Sequence, residues 1–146
     1  MTETTFTVIN KDTGENNSFS NDAIATFLRD HLDEFGDKKE DILKAIEYVF
    51  NRGGNVVVAA DGSKIVGAVV INNTGMSGYI PENILVYIAV HADKRGAGLG
   101  KKLMQEAINI TTGDIALHVE PHNPAKFLYE KLGFTNKYLE MRLQNK

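Results

Sequence analysis

The sequence predicts a mixed α/β fold: one sheet of parallel and antiparallel strands with helices on its faces, in the order βααβββαβαβ. Three observations predict it. Residues 84–120 run from an apolar strand through a glycine-rich turn and an amphipathic helix to a second strand, and strands joined by a helical crossover lie parallel. Residues 56–72 form two β-branched runs around Asp61-Gly62, a strong hairpin signal. Further stretches carry apolar residues at helical spacing. A chain of 146 residues reads as one domain, 1–146, and can bury roughly 68–70% of its unfolded surface without a disulfide or metal staple.

The first element is residues 5–10 (TFTVIN), a weakly alternating strand. Residues 11–20 are polar, with Asp12, Gly14, Asn16 and Asn17, and read as loop. A helix is expected over residues 22–34, with Ile24, Phe27, Leu28, Leu32 and Phe35 as its stripe and Gly36 as its stop. Asp37 and Glu40 have the spacing of a capping box. They open a second helix through Ile42, Leu43, Ile46, Val49 and Phe50, ended by Arg52-Gly53-Gly54-Asn55. Residues 56–60 and 64–72 are the hairpin strands, and Gly67 inside the second predicts a bulge or a close backbone approach. Residues 73–82 (NTGMSGYIPE) form a loop. The central strand is residues 84–90 (ILVYIAV), short and β-branched, as expected when both faces are covered. The helix after it presents Leu99, Leu103, Ala107 and Ile110, flanked by Met104 and Ile108. Residues 115–120 (IALHVE) return as strand. Residues 124–132 form a short helix with proline in its first turn, Gly133 stops it, and residues 134–143 are expected to close the fold as a strand or strand pair.

Composition narrows the function. The chain has no cysteine, which excludes disulfides, thiolate metal sites and a cysteine nucleophile. This fits a cytoplasmic protein. The first residues show no basic region followed by an apolar stretch, so no secretory signal is expected. No segment approaches the ~20 apolar residues of a membrane span. A net charge of −3 argues against a general nucleic-acid binder.

The chemistry converges on Arg95-Gly96-Ala97-Gly98-Leu99-Gly100, where the central strand hands over to its helix. Glycines let a ligand approach the main chain closely. The first amides of a helix lack carbonyl partners and sit at the positive end of its dipole. Together these favour a phosphate or diphosphate cradle, with Lys101 and Lys102 adding positive charge. The dinucleotide fingerprint does not fit, because G-x-G-x-G is one residue short of G-x-G-x-x-G. The P-loop fails at Arg95 and again at Lys102. The pattern (Q/R)-x-x-G-x-(G/A) is filled by Arg95, Gly98 and Gly100. This stretch resembles the acetyl-CoA loop of the GNAT-type N-acetyltransferase superfamily. A second segment, VEPHNPAKFLYEKLGF, resembles that family's second motif through Asn123, Ala125, Tyr129, Gly133 and Phe134. Asn123 lies six residues before Tyr129, where many members have seven.

The resemblance implies a GNAT-like fold and N-acetyltransferase activity, with acetyl-CoA as acetyl donor, no metal, and direct attack by an amine in a ternary complex. A non-catalytic acyl-CoA binding or sensing domain on the same fold is the alternative. It implies that Arg95, Gly96, Ala97, Gly98, Leu99, Gly100 and Lys101 hold the diphosphate. Ile88, Ala89 and Val90 would meet the rest of the cofactor through main chain, and Asn123 and Tyr129 would complete the site. Tyr129 would protonate or hydrogen-bond the leaving thiolate. Candidates for the general base are Glu82, His91, His118 and Glu120, with His118 first and Glu82 second; a water relay and a histidine idle on the sheet surface stay open. Asp33, Glu34, Asp37, Glu40 and Asp41 form an acidic group that either draws a cationic acceptor or serves the helix ends. Met76 and Tyr79 are candidates for the acceptor pocket. The acceptor is expected to be a small-molecule or peptide amine, with no nucleic-acid or membrane partner. A homodimer would be in keeping with the family, although no patch in the sequence decides it.

Overall fold

In the computed structural model, residues 3–145 are described. The sheet is built from β1 (Thr4–Ile9), β2 (Gly54–Asp61), β3 (Lys64–Asn73), β4 (Asn83–Val90) and β5 (Ile115–Leu117), in that spatial order. The first four pair antiparallel, and β5 lies parallel to β4. The helices are α1 (Asn21–His31), α2 (Lys39–Asn51), α3 (Leu99–Ile110) and α4 (Ala125–Lys131), with short 3-10 turns at Asp33–Phe35 and Ala92–Lys94. Alternation along β2 sends Val56, Val58 and Ala60 to one face and Val57 and Ala59 to the other. The first face is covered by α1 and α2, through Ile24, Leu28, Ile42, Ile46 and Val49. The second is covered by α3 and α4, through Leu99, Leu103, Met104, Ala107 and Tyr129.

Local chemistry explains most boundaries. Ser20 caps α1 by accepting from the amide of Ala23. Asp61 and Lys64 close a two-residue hairpin with Gly62 at φ 61°. Gly67 lies at the β2–β3 bulge, and a Cβ there would come 3.2 Å from Leu103, so both the bulge and the close approach are present. Ile110 ends α3 partly exposed rather than in the core.

The structure departs from the expected order in three places. The capping box is not formed: Lys38 is the N-cap of α2 without a side-chain bond, and Asp37 instead accepts from the Tyr87 hydroxyl at 2.5 Å. Strand β5 stops at Leu117 rather than Glu120. Residues 134–143 form no strand, so the sheet has five strands and not six. Gly133 and Phe134 are folded back onto α4 by bonds to the carbonyls of Glu130 and Tyr129. The residues beyond them leave the sheet, with Tyr138, Leu139, Met141 and Leu143 exposed.

Candidate active site

Strands β4 and β5 are in register only at Asn83↔Ile115, Ile84↔Ala116 and Leu85↔Leu117. Beyond that they part. A bulge in β4 falls at the same point, since Val70 pairs with Tyr87 while Ile71 pairs with Leu85. The skipped residue is Val86, and the effect is visible in the packing: Val86 and Tyr87 both lie against the α1/α2 core. A bulge bends its strand and re-aims side chains. Here it widens the gap beside β5 and directs the Tyr87 hydroxyl to Asp37. Burial and this hydrogen bond push the Tyr87 pKa well above the usual range. A cavity of about 170 Å³ opens in the gap, lined by Asp37, Ile84, Leu85, Val86, Tyr87 and His118.

Past the bulge, the edge of β4 that would face β5 has no strand beside it. The amide of His91 donates to Val66 on β3. Alternation then turns the main-chain groups of Ile88 and Val90 the other way, toward the gap. Ala89 faces β3 with its main chain and is buried in the α1/α2 core. The structure therefore separates the three expected residues: the main chain of Ile88 and the amide of Val90 face the gap, the Val90 carbonyl accepts from Arg95, and Ala89 is held by the sheet.

The glycine turn follows directly. Gly96 and Gly98 have φ of 83° and 81°, and a Cβ on either would meet nothing within 4 Å. They are glycine for conformation and face open space. Gly98 caps α3 without a side-chain bond, and the amides of residues 96–101 find no acceptor among the described residues. Gly100 is tighter: a Cβ there would come 3.4 Å from Leu128 and 3.7 Å from Val90, and the glycine serves the packing of α3 on α4 and β4. The turn is anchored from outside. Lys94 pairs with Asp61 at 2.8 Å. Arg95 does not aim at the cradle: its side chain donates to the carbonyls of Val90 (3.2 Å) and His31 (3.0 Å) and lies 3.5 Å from Asp33. Its amide is turned back to Ala92. Arg95 thus braces the loop against α1. The His31 ring beside it stacks on His91 at 4.6 Å, and burial, then the neighbouring His91, lowers its pKa.

Tyr129 is 7% exposed in the α3/α4 core, with Phe134 at 5.9 Å. Its hydroxyl has no hydrogen-bond partner among the described residues, and burial raises its pKa to about 12. It is a donor held neutral. Asn123 spends its side-chain oxygen on the amide of Ala125, capping α4 at 2.9 Å.

The candidate bases separate. His118 follows the last paired residue of β5 and lines the cavity on the same face as Tyr87. Glu82 precedes β4, about 13 Å of strand from the bulge. Its carboxylate accepts from the amide of Asp114 at 2.8 Å and that of Gly78 at 3.4 Å. These amide bonds, Asp114 first, depress its pKa. Glu82 is committed to the turn before β5 and is not brought to the gap. His91 stacks on His31, away from the cavity lining, and Glu120 lies 3.8 Å from His122. Most of the acidic group is also paired locally: Asp33 with Arg95, Glu34 with His122 at 3.7 Å, and Asp41 with Lys44 at 3.8 Å. Asp37 alone of that group lines the cavity. Met76 and Tyr79 are exposed on the β3–β4 loop and do not line it. Sequence reasoning missed the Tyr87–Asp37 pair, whose one visible signal was a tyrosine inside an otherwise aliphatic strand.

Among the described residues no group of metal-binding side chains is assembled, and no helix is long and apolar enough to cross a membrane. A family model described as an acetyltransferase (GNAT) domain matches residues 52–136. No curated protein matches the chain in sequence. Solved structures share the fold. An aminoglycoside N-acetyltransferase in complex with CoA superposes with TM-score 0.69 at 17% identity, over 100% of this chain and 97% of that one. A ribosomal-protein-alanine N-acetyltransferase from Brucella melitensis biovar Abortus 2308 gives 0.63 at 18%, over 98% and 99%. A transcriptional regulator from Bacillus halodurans C-125 gives 0.68 at 20%, over 97% and 100%.

Proposed function

The chain belongs to the GNAT acetyltransferase family, and on that premise we propose that it moves an acetyl group from acetyl-CoA to an amine by direct attack. The observation that carries the reading is the run of unpartnered amides at residues 96–101, set beside the free edge of β4. Those amides, at the positive end of α3, would hold the diphosphate of the acetyl donor. The outward main chain of Ile88 and the amide of Val90 would pair with its amide-bearing arm and supply a donor to the oxyanion that develops on the thioester carbonyl. The acceptor nitrogen would enter through the cavity, between Asp37 and His118. His118, directly or through one water, takes the proton that the amine must lose. As the C–N bond forms, the C–S bond breaks and the electron pair leaves on sulfur.

Tyr129 meets that sulfur as a hydrogen-bond donor rather than as an acid. A thiol has a pKa near ~8.5, and full transfer from a tyrosine at about 12 would be uphill by roughly 5 kcal/mol. With no cysteine in the chain, no acyl-thioester intermediate can form on the protein. The acceptor class this supports is a small molecule or peptide terminus presenting one amine, with Asp37 as the carboxylate nearest to it. The absence of cysteine also supports action in the cytoplasm. The test is thiol release from acetyl-CoA against a panel of amines. Release with at least one amine is expected. Binding of coenzyme A with no release from any would favour a non-catalytic acyl-CoA binding domain, since fold alone does not fix function.

A further inference from the structure

His91 stands between the free edge of β4 and the glycine cradle, and the fold holds it from three directions. Its amide donates to the carbonyl of Val66 on β3. Its ring stacks on His31 of α1, which itself stacks on Phe27 at 4.4 Å. Its Nδ1 accepts from the amide of Asp93 at 3.1 Å, and this bond is the side-chain cap of the 3-10 turn Ala92–Lys94. An accepting Nδ1 puts the ring proton on Nε2, so only the neutral imidazole can make this cap. The Asp93 carboxylate lies 3.7 Å from the same Nδ1. A proton on Nδ1 therefore abolishes the amide bond and offers a carboxylate partner in its place. The turn has two arrangements, and one proton chooses between them. Of the two stacked rings, His91 is the one to take that proton. Its Nδ1 faces a carboxylate, whereas His31 has the Arg95 guanidinium on its carbonyl, and burial, then the neighbouring His91, lowers its pKa. A second proton on His31 would set like charges 4.6 Å apart. The other charged groups about the pair are Asp30 and Asp33, of which Asp33 is paired with Arg95; Lys94 is turned to Asp61.

We infer that His91 is a positioning residue for the cradle: its neutral ring caps the turn that aims residues 96–101, and its protonation releases them. The inference rests on the reading of that loop as the diphosphate site. Gly96 and Gly98 follow the turn in the left-handed region, facing open space and with no side chain to hold them, so the direction of their amides is inherited from residues 92–95. The sign of the effect separates this role from simple charge. A cation near an anion site strengthens binding as pH falls; loss of the cap weakens it. His91→Asn is the control, because the Asn side-chain oxygen can cap the same turn and does not titrate. Titration calorimetry with coenzyme A should give the unaltered chain and His91→Asn the same Kd to within about twofold at about pH 7.5. At about pH 5.5 the unaltered chain should bind about 10-fold more weakly than His91→Asn, since one linked proton changes affinity by at most about 10-fold per pH unit. The phosphates of coenzyme A titrate alike against both proteins and cancel in the ratio. His91→Ala, with no acceptor for the Asp93 amide, should bind about 5-fold more weakly than either at about pH 7.5. In the ligand-free chain, the NMR amide resonances of Asp93, Gly96 and Gly98 should move with the His91 ring as pH falls, and stay in place in His91→Asn. Parallel affinities of the unaltered chain and His91→Asn across the pH range, or a His91→Ala chain that binds as tightly as the unaltered one, would overturn the role. Amide shifts that ignore the ring would overturn the cap on their own, whereas no coenzyme A binding by any of the three proteins at any pH would sink the diphosphate reading beneath it.

Discussion

Replacing Gly98 by alanine separates conformation from ligand contact, provided Gly14 is replaced in parallel. Gly98 has φ 81° and Gly14 has φ 71°, and a Cβ at either meets nothing within 4 Å. Both substitutions therefore carry the same backbone penalty, about 1–2 kcal/mol for an L-residue in the left-handed region, with no steric clash added. For a chain of this length that lowers Tm by about 3–8 °C in each case. The two positions differ in what faces them. Gly14 lies in the loop after β1, at the far side of the sheet from the gap. Gly98 caps α3 beside the unpartnered amides, so its Cβ would stand where a diphosphate oxygen must approach. Loss of even one charge-assisted hydrogen bond is worth about 1.5–3 kcal/mol. Titration calorimetry with coenzyme A should show Gly98→Ala weakened by about 10-fold or more, and Gly14→Ala binding as the unaltered chain does. Equal affinity in all three proteins, with the paired drop in Tm present, would refute the assignment of the cradle.

Three further outcomes follow from the geometry. Tyr129→Phe should leave the fold and the KM for acetyl-CoA nearly unchanged, since the hydroxyl has no partner among the described residues, and should lower kcat by about 10- to 150-fold, the worth of one hydrogen bond to a charged group; an unchanged kcat removes Tyr129 from the reaction. His118→Gln should lower kcat while the chain still binds coenzyme A, and an unaltered kcat assigns proton removal elsewhere. Glu82→Gln should leave chemistry intact and lower Tm near neutral pH. Because the amides of Asp114 and Gly78 depress the Glu82 pKa, its contribution is present above the usual carboxylate range and is lost as pH falls through the folded-state value. Thermal melts of the two proteins should therefore converge on acidification; a gap that widens toward low pH refutes the role.

What could be read in advance was whatever is written in neighbouring residues. Period-two runs and Asp61-Gly62 marked the hairpin, and three glycines between a strand and an amphipathic stripe marked the cradle. What could not be read was set by partners far along the chain. Arg95 fills a motif position, yet its guanidinium is claimed by a carbonyl 64 residues away. Asp37 has the spacing of a cap, yet a tyrosine 50 residues on takes it for the cavity, because a one-residue bulge at Val86 turns that tyrosine to the same face. Glu82 precedes the central strand, yet it is drawn to an amide 32 residues away. The segment 134–143 shows the same limit from the other side. Its alternation was legible as strand, and a strand is stable only against another strand's edge. Nothing in the alternation names the edge.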